Sequence, residues 1–247
     1  MPSPIDFYSD YIAKGIPAYF TGYAKHWPAY TKWQNKTYLI EQSGDQVIYV
    51  EKAPRYSNEF AYFQTEFGKA YMTYGDFLRA IEDEDRIFNY YFAEESVPEA
   101  LLKDIINPEI GDELLKTTIV SFWQGFGTVS LPHQDDVENI MCVLKGYKNF
   151  TIVSPLQSHF VYHAEKPNMP KHYSPVNFDN PNLDKYPLFA KANVYKVHIK
   201  EGDCMYLPAF WWHQVSSSSE ECMAISTWYD THSKMVKLGV YYGSDFN

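Results

Sequence analysis

The sequence predicts a mostly β fold, a barrel or sandwich, preceded by a mixed α/β flank. Three observations carry this. From residue 117 onward, short strand-like runs follow one another at even spacing, as in closed or double-layered all-β architectures. Aromatic residues are abundant, with 22 Tyr, 16 Phe and 6 Trp, and these favour the half-buried surface of a sheet. A length of 247 residues suffices for a large core within one domain.

In chain order, "PIDFYSDYIAK" reads as a short helix and "GIPAYFTGY" as a short strand after a turn glycine. "WPAYTKW" and "TYLIEQSG" follow as helices, the second closing on Gly44 as a C-terminal cap. "QVIYVEKA" is a strand. "TYGDFLRAIEDEDR" places Phe77, Leu78 and Ile81 at helical spacing with acids opposite. "IFNYYFAEE" returns to strand and "VPEALLKDII" to helix. The β-rich part then runs through "TTIVSFWQ", "ENIMCVLK", "YKNFTIVSP", "VYKVHIK", "DCMYLPA", "WHQVSSS" and "CMAISTWYD", with turns at Lys145-Gly146, Glu201-Gly202-Asp203 and Ser217-Ser218-Ser219. A Pro-, Asn- and His-rich piece, about 157–193, reads as an insertion between two strands, of the kind that covers a site. No repeat or second domain is evident, so the expected organisation is one domain over 1–247. It has a flank over 1–116, a core over 117–230 and a short tail over 231–247.

Composition narrows the function. A net charge of −10 argues against a general nucleic-acid binder. Cys142, Cys204 and Cys222 are odd in number, widely spaced and set in apolar runs, so all three read as small hydrophobic residues and not as a disulfide or zinc framework. The N-terminus lacks the pattern of a signal peptide and no apolar run is long enough for a bilayer, which gives the expectation of an intracellular protein with no membrane partner.

The chemistry concentrates in "SLPHQDDVENIMCVLKGYKNF", residues 130–150. In extended chain, residues i and i+2 share a face, so His133 and Asp135 present an imidazole and a carboxylate side by side. His213, in "EGDCMYLPAFWWHQV", is the candidate third ligand. Two histidines and a carboxylate on one face of an octahedral ion leave positions open, the ligand set of non-haem Fe(II) oxygenases; zinc would accept the same groups without offering oxygen activation. Lys148 stands inside an otherwise apolar strand. A buried lysine needs an anion, and a dicarboxylate chelating the metal could supply one; on the outer face of the sheet it would need none.

Together these residues resemble the JmjC-domain family of Fe(II)- and 2-oxoglutarate-dependent oxygenases, in its small cupin-like hydroxylase branch. The resemblance rests on H-x-D, on a lysine fifteen places after the first histidine, and on G-D-x-x-Y-x-P followed by W-W-H. It extends to "NFDNPNLDKYPLFAKANVYKVHIK", "AISTWYD" and the opening "GIPAYFTGYAKHWPAYTKW". It implies a double-stranded β-helix, the jelly-roll or cupin core, with flanking N-terminal helices. Fe(II) would be held by His133, Asp135 and His213. Lys148 would pair with the distal carboxylate of 2-oxoglutarate, with Ser130, Asn139 and Tyr91 (Tyr90 being adjacent) beside the cosubstrate. Relatives carry an asparagine where this chain has Ser226, a shorter group that would reach the cosubstrate through water or loosen it. With 2-oxoglutarate on two metal positions and O2 on the third, the resemblance implies hydroxylation of a substrate carbon with release of succinate and CO2.

The substrate expected from the resemblance is a protein side chain, with lysine favoured because "HQDDVENIMCV" is most similar to a lysyl hydroxylase. Asp136 and Glu138 are candidate contacts for a cationic substrate, although strand alternation turns both away from His133 and Asp135. Hydroxylation of a modified tRNA base is the alternative, opposed by the acidic charge. Histone demethylation ranks third, and a non-catalytic cupin-like binding module comes last. A homodimer through the C-terminal segment is left open. The remaining histidines read as surface or loop residues, with His163 and His172 placed to touch substrate.

Overall fold

A computed structural model describes residues 2–60, 68–108, 115–163 and 169–230. The helices are α1 (Pro4–Phe7), α2 (Pro28–Lys32), α3 (Lys36–Ser43) and α4 (Tyr74–Ala80). The strands of the flank are β1 (Ala18–Phe20), β2 (Val47–Pro54), β3 (Glu59–Phe60), β4 (Lys69–Thr73) and β5 (Phe88–Ser96). Those of the core are β6 (Thr117–Phe126), β7 (Val129–His133), β8 (Glu138–Lys145), β9 (Tyr147–Val153), β10 (Val194–Lys200), β11 (Cys204–Leu207), β12 (Trp212–Ser217) and β13 (Glu221–Tyr229).

The core strands form two four-stranded antiparallel layers, β11-β8-β13-β6 and β10-β9-β12-β7, the jelly-roll arrangement the resemblance implies. The flank does more than pack on them. β1 extends the first layer at one edge and β5, β2 and β4 extend it at the other, while β3 adds to the second layer beside β7, in parallel.

Strand alternation sorts the side chains. On the outer face of the large sheet, Phe92, Phe122, Ile140, Cys142, Leu144, Tyr206 and Ile225 pack against Phe7, Trp27, Trp33, Leu39, Tyr74 and Phe77 of the helical flank. Between the sheets lie Met141, Val143, Phe150, Ile152, Met205, Val215 and Ala224. The flank is tied down by polar groups as well. Buried Asp104 accepts from Lys32 Nζ at 2.6 Å, Tyr38 Oη at 2.6 Å and Trp33 Nε1 at 3.2 Å. Asp203 accepts from the Gly22 amide at 2.6 Å and from the Tyr19 hydroxyl.

Gly146 joins β8 to β9 at φ 70°, where a Cβ would meet Ser218 Oγ at 2.4 Å, so the turn requires glycine. Gly44 does follow α3, but in right-handed conformation at φ −57°, not as a left-handed cap. Its carbonyl accepts from the Gly75 amide at 2.8 Å and so fixes the start of α4.

The cysteines require a correction. Cys142 and Cys204 form a disulfide across 62 residues of sequence, and only Cys222 is free. The pairing of β8 with β11 sets the two directly opposite each other, with Cα atoms 4.1 Å apart, a register that no local motif announces.

The insertion before β10 is packed rather than loose. Val161, Tyr162, Val176, Phe178 and Phe189 make a separate core with Val153 and Trp212. Gln214 pins it further, accepting from the Phe178 amide at 2.8 Å and donating to Asp179 at 2.9 Å. The tail considered for pairing two copies lies outside the described residues. Among those residues no helix is long and apolar enough to cross a membrane.

Candidate metal centre

β7 and β12 are neighbours, and their register sets His133 directly across from His213. Eighty residues of sequence separation thus collapse into one cross-strand pair, with ring centroids 4.2 Å apart. Asp135 follows β7 and completes the group. Its carboxylate lies 3.4 Å from His213 Nε2 and 3.8 Å from His133 Nε2. One ligand atom from each of the three residues falls within 4.8 Å of the others.

The backbone decides which nitrogen faces inward. His133 Nδ1 lies 2.6 Å from the Leu131 carbonyl and His213 Nδ1 lies 2.9 Å from the Trp211 carbonyl. A carbonyl only accepts, so each Nδ1 carries its proton and donates. Each Nε2 therefore keeps a lone pair, and both point toward Asp135, the second-sphere pattern of metal-ligating histidines. Burial, then the neighbouring His133, lowers His213 to about 4, so it is neutral and ligand-ready near pH 7.

Contacts invisible in the sequence hold this geometry. Tyr173, from the insertion, stacks on His133 at 5.3 Å and 24°, and the backbones of the two residues form a bridge. His172 stands beside it: its carbonyl accepts from the Gln134 amide at 2.9 Å, and its ring contacts Tyr173. The Phe210 amide, on a residue at φ 67°, donates to the Asp135 carbonyl at 2.7 Å and thereby locks the W-W-H turn to the H-x-D loop.

From the metal group a cavity open at one end runs between the sheets. Ser130, Asn139, Lys148 and Tyr91 line it, with Trp123, Met141, Phe150 and Trp228 as its apolar walls. Lys148 is 2 % exposed and donates to Tyr91 Oη at 3.1 Å. Burial opposes its charge and Tyr91 favours it; the balance holds the ammonium above the usual lysine value. Among the described residues no carboxylate is within ion-pair distance of it. Tyr91, not Tyr90, faces inward, because Tyr90 packs on the helical side. Gly125 makes this possible: a Cβ there would lie 2.9 Å from Tyr91 Cδ2.

Two expectations change. Ser226 does not line the cavity; its hydroxyl accepts from Trp123 Nε1 at 3.0 Å and meets the cavity only through that indole. Glu138 is turned away from the cavity. It is 7 % exposed and accepts from Tyr206 Oη at 2.7 Å and the Ala209 amide at 3.0 Å, because alternation along β8 turns it away from the face carrying Asn139 and Met141. Asp136 stays exposed. Glu94, at φ 57° in a bulge of the β5–β6 pairing, is near enough to the metal group to feel Asp135. Although the residue as a whole is exposed, the protein around its carboxyl, then Asp135 and Glu51, pushes it up to about 7.

The family model for the cupin-like domain matches residues 4–235. This chain belongs to the cupin-like JmjC family. The JmjC chain is 27 % identical over 245 residues to Jumonji C domain-containing protein 5 of Drosophila melanogaster, covering 93 % of this chain and 58 % of that one. It is 30 % identical over 240 residues to lysine-specific demethylase 8 of Danio rerio, covering 92 % and 56 %. It is 25 % identical over 265 residues to the human bifunctional peptidase and (3S)-lysyl hydroxylase JMJD7, covering 93 % and 82 %. The chain spans about half the length of the first curated relatives it matches.

JmjC-family enzymes are oxygenases that use Fe(II) and 2-oxoglutarate, and the residues present fit both groups. The two Nε2 lone pairs and one carboxylate form a facial donor set. The buried Lys148 ammonium asks for an anion. Asn139 Oδ1 is buried with no hydrogen-bond partner, and turning that amide over would offer its NH2 to a carboxylate instead.

Proposed function

We propose that this chain is an Fe(II)- and 2-oxoglutarate-dependent hydroxylase that acts on a cationic side chain, lysine first, of a protein substrate. The observation that carries the reading is the convergence of the His133–Asp135–His213 group and the buried Lys148 ammonium on one cavity. Iron bound there with 2-oxoglutarate would supply the oxidising chemistry of the site, with succinate and CO2 as co-products.

The protein's own residues do the rest. His133, Asp135 and His213 would hold the metal from one side. Lys148 and Tyr91 would anchor the far carboxylate of the cosubstrate, with Ser130 and Asn139 beside it. Trp123, Trp228, Met141 and Phe150 exclude water from the inner end. Beside the metal group lies an acidic rim: the Glu94 carboxyl feels Asp135 and Glu51, with Lys69 opposing them, and pushed up to about 7 it gives up its proton readily when a cation approaches. With a net charge of −10 behind it, this rim favours an approaching cation and opposes a tRNA. The lysyl hydroxylase named among the relatives supports the same substrate class.

Purified protein given Fe(II) and 2-oxoglutarate should release succinate, and His133→Ala should abolish release. Lysine-rich peptides should then gain the mass of one oxygen atom. Equal succinate release by the two proteins would end the oxygenase reading. Loss of a methyl group from a methyl-lysine peptide, or oxygen gain only by tRNA, would replace the substrate.

A further inference from the structure

The two indoles that wall the cavity are each held by a serine on the opposite strand. β6 carries Ser121-Phe122-Trp123 and β13 carries Ser226-Thr227-Trp228. The register sets Ser121 directly across from Ser226. With period-two alternation all four side chains lie on the inner face, and each tryptophan becomes the diagonal neighbour of the facing serine. Trp123 Nε1 donates to Ser226 Oγ at 3.0 Å, and Trp228 Nε1 donates to Ser121 Oγ at 2.8 Å. Both serines are fully buried, so no water competes for either bond. Ala224, directly across from Trp123, leaves room for the indole to lie over it.

The clasp acts on the inner end of the cavity. The Trp123 ring lies 5.6 Å from Lys148 Nζ and 5.9 Å from the Tyr91 ring. It therefore forms one side of the box that holds the buried ammonium. Freed from Ser226, the indole has alternative rotamers, and both the cation–π contact and the packing on Tyr91 loosen with it. Ser226 thus has a structural task here other than touching the cosubstrate.

We infer that Ser121 and Ser226 are positioning residues: they fix the Trp123–Trp228 wall and so set the affinity of the Lys148 end of the cavity for a dicarboxylate. The inference rests on the oxygenase reading above. It is tested without turnover, on Mn(II)-loaded protein in the absence of oxygen, by titrating 2-oxoglutarate calorimetrically. Ultraviolet resonance Raman of the indole bands reports the N–H hydrogen bonds in parallel. Ser226→Ala should weaken 2-oxoglutarate binding about tenfold, the scale of one buried hydrogen bond. Its Raman spectrum should show one indole losing its acceptor, with Mn(II) affinity unchanged. Ser121→Ala should do the same through Trp228, and Ser226→Thr, which keeps the hydroxyl, should restore binding.

Wild-type affinity in Ser226→Ala, with the Raman change present, would overturn the inference while leaving the oxygenase reading intact. Failure of both alanine variants to fold, judged by circular dichroism, would overturn it in favour of a folding role. If the wild-type protein with Mn(II) binds no 2-oxoglutarate, both readings fall.

Discussion

Replacing Lys148 by methionine tests the anion end of the cavity most directly. Lys148 is buried, it donates to the Tyr91 hydroxyl and lies over the Tyr91 and Trp123 rings, and among the described residues no carboxylate pairs with it. Methionine has similar length and no charge, so the ligand-free protein should change by less than about 1.5 kcal/mol. The ligand-bound protein should change far more. At a concentration of 2-oxoglutarate about 100 times its dissociation constant, binding stabilises the wild type by about 2.7 kcal/mol. In a chain of this size that raises the melting midpoint by roughly 5–11 °C. Removing one partner of a buried charge pair costs about 2 kcal/mol or more, a roughly 30-fold weaker dissociation constant. At the same ligand concentration the remaining gain is below about 1 kcal/mol, or roughly 2–4 °C. The assay is a thermal melt with Mn(II), with and without 2-oxoglutarate, on both proteins. A Lys148→Met variant that keeps the full upward shift would refute the assignment of Lys148 as the anion's partner.

Other outcomes follow from the same geometry. Tyr173→Ala removes the ring stacked on His133 and should weaken Mn(II) binding by about tenfold, the usual effect of losing a second-sphere support, measured by electron paramagnetic resonance titration. His213 is lowered to about 4 in the folded protein, against about 6.5 unfolded. The unfolded chain therefore binds the extra proton between those values, and metal-free stability is full above about pH 6.5 and falls toward pH 4 by about 3 kcal/mol at most. Urea melts across that window should show the loss in the wild type and less of it in His213→Gln. Glu94→Gln should lower kcat/KM for a lysine peptide by about three- to tenfold above pH 7, where the carboxyl at about 7 is charged, and by less below it, while succinate release without peptide stays unchanged. Equal kcat/KM would remove Glu94 from substrate recognition.

Much of the site was legible because its residues break local expectation. A histidine and a carboxylate two apart in extended chain must share a face, and a lysine amid Phe150 and Ile152 stands out from its apolar strand. Glycine and proline mark the turns that deliver them. What escaped is set by register and packing. The Cys142–Cys204 disulfide depends on β8 lying beside β11. Tyr173 reaches His133 only because the insertion packs on Val153 and Trp212. Glu94, which feels Asp135, takes its positive φ at a bulge with no glycine to announce it.

The sequence by itself determined the chemical alphabet of this protein: a mostly β core, two imidazoles and a carboxylate for a metal, and a lysine with an apolar neighbourhood. Those follow from residue type and two-residue periodicity, which act over a few positions. Only the tertiary structure decided that His133 faces His213, that Ser226 serves Trp123 and not the cavity, and that Glu138 braces the turn before the last ligand. Each of these is a cross-strand relation, fixed by hydrogen-bond register between segments far apart in the chain, and a slip of one residue would turn every one of them to the opposite face.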